Sequence, residues 1–339
     1  MAAIALRQRE TLEPGVYPFN PRKHLRQVAE LVGDVFAAEM DLEGRYALQE
    51  MRAVSWLSPL FGQMLSSTLL GEFVGGYVWV EDGRVLGNLT LQRSDYSGTR
   101  WRISNVAVAP ERRGQGIARA LMLAGLSEIA QQGGAWALLQ VRLGNTPARR
   151  LYQSLGFTDV CQDGIWRLAA RPAAPARPDL TLRPLSPRAW RGRFELAQAA
   201  QTPLASWVSP VAVEAYQTDL LQAAGEVLAG WLGLYRVQRW GATDAAAQRL
   251  DGAVEVWANL LGDVHRLRLA VRPEARGHLE QALVQQGLVA LATAPCAPVI
   301  VEHSGDHAEA VAALEAAGFR AERVLITMRR QITPTDALL

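Results

Sequence analysis

Between residues 21 and 38, PRKHLRQVAELVGDVFAA, the apolar positions Leu25, Val28, Leu31, Val32 and Val35 recur at the spacing of one helix face. A second helical stretch is expected over 46–66. The period then changes. GYVWV (76–80) and RVLGNLTLQ (84–92) flank Glu81-Asp82-Gly83, a hairpin turn signal, and WRISNVAV (101–108) supplies a third strand. Pro110 stops that strand, and residues 116–131 carry an apolar stripe at Ile117, Ala120, Leu121, Ala124 and Leu126. AWALLQVRL (135–143) reads as a buried strand. Asn145 has the chemistry of an N-cap, with Pro147 in the first turn of a helix that ends before Gly156. The order β-β-β-α-β-α-β implies a mixed α/β fold in which a helix crosses between neighbouring parallel strands.

The pattern then starts again. LAARPAAPARPD (168–179) places Pro172, Pro175 and Pro178 where the backbone can hardly be helical, which favours an extended spacer. Beyond it, LAVRPEARGHLEQALV (269–284) echoes VAVAPERRGQGIARALM (106–122), and AAGF (316–319) echoes SLGF (154–157). An internal duplication is the simplest account. The expected domains are 1–169, a Pro/Ala-rich linker at 170–178, and 179–339.

Composition narrows the class without naming it. A chain of 339 residues, 49% hydrophobic and 20% charged, describes two globular cores, and a net charge of +2 is too small to imply nucleic acid. Cys161 and Cys296 stand in no metal-ligand or disulfide spacing, so no metal and a reducing compartment are expected. MAAIALRQRETLEPG carries charges where a signal peptide needs an apolar stretch, and no run approaches the ~18 apolar residues of a membrane span. The expectation is a cytoplasmic protein with no membrane or nucleic-acid partner. Monomer and homodimer both remain open.

RRGQGIA (112–118) then asks what two arginines and two glycines do between a strand and a helix. A P-loop needs a Lys-Ser/Thr pair that is absent, and a dinucleotide fingerprint needs a third glycine where Arg119 stands. A pattern Q/R-x-x-G-x-G/A is met by Arg113, Gly116 and Ala118. Small residues there let the backbone close around a pyrophosphate, favoured by the free N–H groups and positive dipole of the helix start. Arg112, Arg113 and Arg119 add charge.

VAVAPERRGQGIA, followed by NTPARRLYQSLGF, resembles the GNAT N-acetyltransferases, and the chain looks like a tandem of two such domains. The resemblance implies two mixed, mostly antiparallel sheets flanked by helices, each with a splayed strand pair. It also implies acetyl-CoA as cosubstrate and an amine of a small molecule or peptide as acceptor. Main-chain groups of Val106, Ala107 and Val108 would pair with the pantetheine arm. Arg113, Gly114, Gln115, Gly116, Ile117 and Ala118 would cradle the pyrophosphate, with Arg119, Asn145 and Arg149 nearby. Tyr152, about two turns beyond Asn145 on the same helix face, carries over as the acid that protonates the leaving thiolate. Mycothiol synthase is another tandem architecture of this kind, but there the intact site lies in the C-terminal half.

The chemistry asks for more than a cradle. A neutral amine attacks the thioester, an oxyanion develops and a thiolate leaves. A main-chain N–H near Val106 would meet the oxyanion if a bulged strand holds it there. A tyrosine, with a reference pKa of ~10, suits proton transfer to sulfur. For the amine's proton, Ile103-Ser104-Asn105 offers no carboxylate, and Glu72, Asp95 or a water chain remain open; His24 is the only histidine of the first half. Bland readings stand beside these. Tyr152 is also a plausible core aromatic, Asn145 an N-cap, and Arg142, Arg149 and Arg150 a solvated face. Cys161 reads most simply as a buried small side chain. In the second half, Leu279 and Glu280 replace Gly116 and Ala118 after a one-residue deletion, and Leu314 replaces Tyr152, so that copy is expected to have lost its cofactor. The alternative functions are a non-catalytic CoA-binding sensor or scaffold, or a tandem acetyltransferase similar to mycothiol synthase.

Overall fold

A computed structural model describes residues 13–36, 73–95, 97–218, 220–243 and 249–338; the helix expected over 46–66 and Glu72 lie outside them. The chain forms two compact units, and they interleave along the sequence. Unit 1 takes residues 1–140, 147–158 and 328–339, and unit 2 takes 141–146 and 159–327.

Unit 1 opens with β1 (Gly15–Pro18) and α1 (Pro21–Phe36). β2 (Phe73–Glu81), β3 (Arg84–Arg93) and β4 (Arg100–Val108) then pair antiparallel in the order β1-β2-β3-β4. The helix α2 (Ile117–Gln131) crosses to β5 (Trp136–Arg142), which runs parallel to β4, and α3 (Thr146–Ser154) follows. The hairpin between β2 and β3 turns where Asp82 and Gly83 sit, with φ of 49° and 73°.

β3 is covered on both faces, which explains its nearly continuous burial. Val28, Leu31 and Val32 of α1 share a core with Val85, Leu86, Val78, Val80 and Ala107. On the other face α2 approaches so closely that a Cβ at Gly87 would lie 2.9 Å from the Ile117 Cγ2, and one at Gly125 would lie 3.0 Å from the Leu89 Cδ2. These two glycines set the depth at which the start of α2 sits on the sheet. Residues 328–338 complete the unit: the Ile332 N–H donates to the Ala135 carbonyl at 2.9 Å, and buried Asp336 accepts from Arg330 and from the Thr333 N–H.

Unit 2 repeats the order. β6 (Thr158–Leu168) comes first, then β7 (Arg183–Pro184), α4 (Trp190–Ala200), α5 (Pro203–Val208) and α6 (Leu220–Trp231). β8 (Tyr235–Thr243), β9 (Leu250–Asn259) and β10 (His265–Val271) form an antiparallel set with β7. After α7 (Glu280–Ala290), β11 (Val299–Ser304) runs parallel to β10, and α8 (Ala308–Ala316) precedes β12 (Arg320–Gln331). The outer partner of β11 is β6, antiparallel from Val299↔Leu168 to Ser304↔Asp163. The segment after β6 is anchored as well as extended, since the Arg171 N–H donates to the Ala297 carbonyl and its side chain to that of Ala294 at 2.9 Å. A buried chain of charges ties α4 and α6 to the sheet: Glu255 accepts from Arg193 at 2.6 Å and faces Arg239, which grips Glu226.

One position in unit 1 tolerates no side chain. A Cβ at Gly76 would fall 2.1 Å from the Leu89 carbonyl oxygen, a backbone atom that cannot step aside alone. Gly76→Ala is therefore expected to destabilise the protein by about 1–3 kcal/mol, read as a lower urea midpoint at unchanged m-value.

Candidate active site

β4 is a strand with two different neighbours. Against β5 its pairing runs from Arg100↔Trp136 to Ile103↔Leu139 and stops, although β4 continues to Val108. From Ser104 onward the main chain on that side has no ladder partner in β5. Against β3 the register jumps from Thr90↔Ser104 to Asn88↔Ala107, so Asn105 and Val106 together oppose Leu89. That is a β-bulge, and Asn105 takes φ +51° to form it. Ala107 is buried in the α1-side core, whereas Val106 and Val108 are half-buried.

The loop after β4 continues the opening. A short 3-10 turn over Pro110–Arg112 leads to Arg113 in extended conformation, then to Gly114 and Gly116 at φ 78° and 82°. Nothing lies within 4 Å of a Cβ added to either glycine, so conformation, not crowding, selects them. Gly116 is the N-cap of α2 and supplies no side-chain cap. The first N–H groups of α2, at Ile117, Ala118 and Arg119, therefore face the loop with the positive end of the helix dipole behind them.

The three arginines have separate fates. Arg112 forks onto Glu81 at 2.7 and 3.1 Å, so its charge is matched within the protein and it adds none to the cradle. Arg113 is exposed and braces the end of β4 by donating from Nε to the Val108 carbonyl at 3.3 Å. Arg119 donates to the Ser154 hydroxyl at 3.0 Å, which ties the first turn of α2 to the last turn of α3. No sequence signal marked Glu81 or Ser154, because both partners lie far away along the chain.

Tyr152 is the one buried residue of α3, 6% exposed, with its ring tilted against Phe157 at 6.1 Å. Burial pushes its pKa up to about 12, so it stays protonated across the physiological range and keeps a proton to give. Gly156 ends the helix at φ 83°, and the Phe157 N–H reaches back to the Tyr152 carbonyl at 3.0 Å, a Schellman closure. Arg149 is half-buried on the same helix, and Arg150 is exposed. Asn145 is exposed in the turn before α3, its N–H bonded to the Arg142 carbonyl at 2.9 Å, within the segment 141–146 that clusters with unit 2.

Asp95 is a turn staple. Its carboxylate accepts from the Thr99 and Arg100 N–H groups at 3.0 and 3.3 Å and from the Thr99 hydroxyl and Arg100 Nε at 2.9 Å. Burial alone would raise its pKa, but these hydrogen bonds outweigh it and hold the group well below the usual carboxylate range. A carboxylate so held is a poor proton acceptor. His24 accepts from the Asn20 N–H at the start of α1. Among the described residues, no group of three or more His, Cys, Asp or Glu is arranged to hold a metal ion.

The corresponding stretch of unit 2 keeps the path and fills the space. Arg276 closes the same turn onto Pro273 that Arg113 closes onto Pro110, and Gly277 takes φ 80° as Gly114 takes 78°. The helix then starts in step, Leu279 standing where Gly116 stands and Glu280 where Ile117 stands, so the deletion expected in this loop is not there. Leu279 has φ −112°, not a left-handed value. The Glu280 carboxylate is buried at the start of α7, accepting from the Leu279 N–H at 3.2 Å and bonded to His307 Nε2 at 2.8 Å. His307 in turn bonds His303 at 2.9 Å. Burial opposes the charge on Glu280, but the bonds from His307 and from backbone N–H groups hold its pKa below the usual value. β10 pairs with β9 from Arg266 to Val271 with no register break, so the bulge is missing too. The closure onto Leu314 by the Phe319 N–H, 3.0 Å, places Leu314 at the position of Tyr152.

Residues 43–157 match the family described as Acetyltransferase (GNAT) family. A mycothiol acetyltransferase of Thermobispora bispora is 48% identical over 62 residues, which is 18% of this chain and 21% of that protein. One from Thermomonospora curvata is 29% identical over 153 residues, 44% of this chain and 46% of that protein. The chain thus matches less than half the length of these curated relatives. The crystal structure of a GCN5-related N-acetyltransferase from Sphaerobacter thermophilus aligns with 94% of this chain and 96% of its own at 18% identity and a TM-score of 0.56, a likeness of fold. The splayed strands, the bulge, the glycine loop and the helix bearing Tyr152 all fall inside the span, residues 43–157, that matches the GNAT acetyltransferase family.

Proposed function

We propose that unit 1 transfers the acetyl group of acetyl-CoA to an amine of a small molecule or peptide, inside the cytoplasm. The observation that carries this reading is the opening of β4: it parts from β5 after Ile103 and runs directly into a left-handed glycine loop and an uncapped helix start. An extended arm fits the unpaired edge at Val106–Val108, and a pyrophosphate fits the N–H groups from Gly114 to Arg119 with Arg113 beside them. Arg149 and Asn145 lie next along the chain for the remaining polar groups of the cosubstrate.

In this reading the amine nitrogen attacks the thioester carbon, the carbonyl oxygen takes up negative charge, and the Val106 N–H receives it. As the C–S bond breaks, Tyr152 gives its proton to the departing sulfur, the ammonium proton passes to water, and Tyr152 regains a proton from water. The products are an amide and free CoA. The described part of β4 supplies no carboxylate base, which is the observation favouring the alternative, a CoA-binding sensor without turnover. Amines related to mycothiol are the acceptors to try first, since the curated relatives are named mycothiol acetyltransferases.

We further propose that the halves 1–169 and 179–339, joined at 170–178, are two copies of one acetyltransferase-like domain. The second copy has given its anion site to its own carboxylate. Glu280 lies where a phosphate would meet the helix, already paired with His307, and like charge repels a second anion there.

Three measurements test these proposals. Arg113→Glu is expected to abolish acetyl-CoA binding by calorimetry in a folded protein; unchanged affinity would remove the cradle. Tyr152→Phe is expected to keep acetyl-CoA affinity and lower turnover by ~10²-fold, the scale of a lost general acid. Unaltered turnover with chemistry rate-limiting returns Tyr152 to packing. Titration of the wild type is expected to give one acetyl-CoA per chain, and two comparable sites would refute the reading of unit 2.

A further inference from the structure

Asn88 lies in the middle of β3, 2% exposed, in a stretch where Leu86, Leu89 and Leu91 are all buried. A buried amide in such surroundings is costly unless its hydrogen bonds are made. Asn88 makes one at the bulge: its Nδ2 donates to the Asn105 carbonyl at 3.0 Å. Thr90 completes a small polar cluster, its hydroxyl accepting from Asn105 Nδ2 at 3.4 Å and from Asn88 Nδ2 at 3.5 Å. Asn105 and the turn residue Asp82 are the non-glycine residues of positive φ among the described residues. A left-handed non-glycine is strained and persists only where its surroundings hold it.

The Asn105 carbonyl and the Val106 N–H belong to one planar trans peptide, so they point in opposite directions. Asn88 draws the carbonyl towards β3. The Val106 N–H is thereby turned away from β3, to the side on which β4 has already left β5. We propose that Asn88 is a positioning residue for acetyl transfer, which fixes this peptide plane so that the Val106 N–H is aimed at the thioester carbonyl oxygen of acetyl-CoA. The inference rests on the proposed acetyl-CoA reading of unit 1 and adds to it the residue that sets the donor's direction.

The test reads the donor directly and needs no acceptor amine. Difference infrared spectroscopy with acetyl-CoA labelled by carbon-13 at the acetyl carbonyl reports the thioester C=O stretch, which falls in frequency when the oxygen accepts a hydrogen bond. In the wild type the stretch is expected to shift down on binding. In Asn88→Ala the shift is expected to be lost while affinity for CoA, which has no acetyl carbonyl, changes less than threefold. Asn88→Ser, which keeps a polar group too short to reach Asn105, serves if the alanine variant does not fold, with the same expectation. A retained shift in either variant overturns the role of Asn88. So does a parallel collapse of CoA affinity, and so does failure of both variants to fold, since each marks a structural part only. A wild type that binds acetyl-CoA without a shift overturns the aim of the Val106 N–H but leaves the cosubstrate reading standing. A wild type that binds neither acetyl-CoA nor CoA refutes that reading itself.

Discussion

Peptide groups inside a sheet must find partners, and β4 is built so that some of them do not find them in its neighbour. Beyond Ile103 the strand keeps β3 and loses β5, and a bulge at Asn105 breaks its register with β3. Much of the surrounding structure exists to make that arrangement rigid. Asn88 and Thr90 hold the bulge from the adjacent strand, and Arg113 braces the end of β4 from the loop that follows. Gly87 and Gly125 let α2 down onto the sheet, so that its start meets the same gap. A pre-formed array of donors of this kind does not have to reorganise when charge develops beside it.

Local chemistry was legible in the sequence and non-local chemistry was not. The hairpin at Asp82-Gly83, the helix start at Gly116 and the helix stop at Gly156 were readable because each depends on the conformational freedom of one or two residues. The strands expected over 76–80, 84–92 and 101–108 and the helices over 21–38 and 116–131 were likewise readable from period alone, with ends displaced by up to three residues, whereas β1 was missed. The bulge was not, because Asn105 takes its shape from Asn88, a residue on another strand. Arg112 looked equivalent to Arg113 and Arg119 in sequence, and only the approach of Glu81 separates them. Asp95 shows the reverse case. A carboxylate near the third strand looked available for catalysis until its four hydrogen bonds were seen to serve a turn.

The two units also show how one backbone path can carry different groups. The Pro-Glu turn, the left-handed glycine after it and the Schellman closure on Gly-Phe survive in unit 2, because each supports the backbone path. What differs are the groups at the helix start and on the strand before it. A leucine replaces the second left-handed glycine, a carboxylate with its own histidine partner caps the helix, and the strand pairs straight through where a bulge would stand. The helix end of unit 2 has its anion, supplied by the chain itself as Glu280.

The interleaving of the units bears on how the protein is made. Residues 328–338 belong with unit 1, and β6, from Asp159 onward, belongs with unit 2. A ribosome delivers the strands of unit 1 early, but the last of them arrives only after nearly all of unit 2 has been synthesised. The first unit therefore waits, incomplete, for most of translation, and the second cannot be deleted without taking part of the first with it. Unit 2 is in this way tied to unit 1 at the level of the gene, because no single cut removes the one and spares the other.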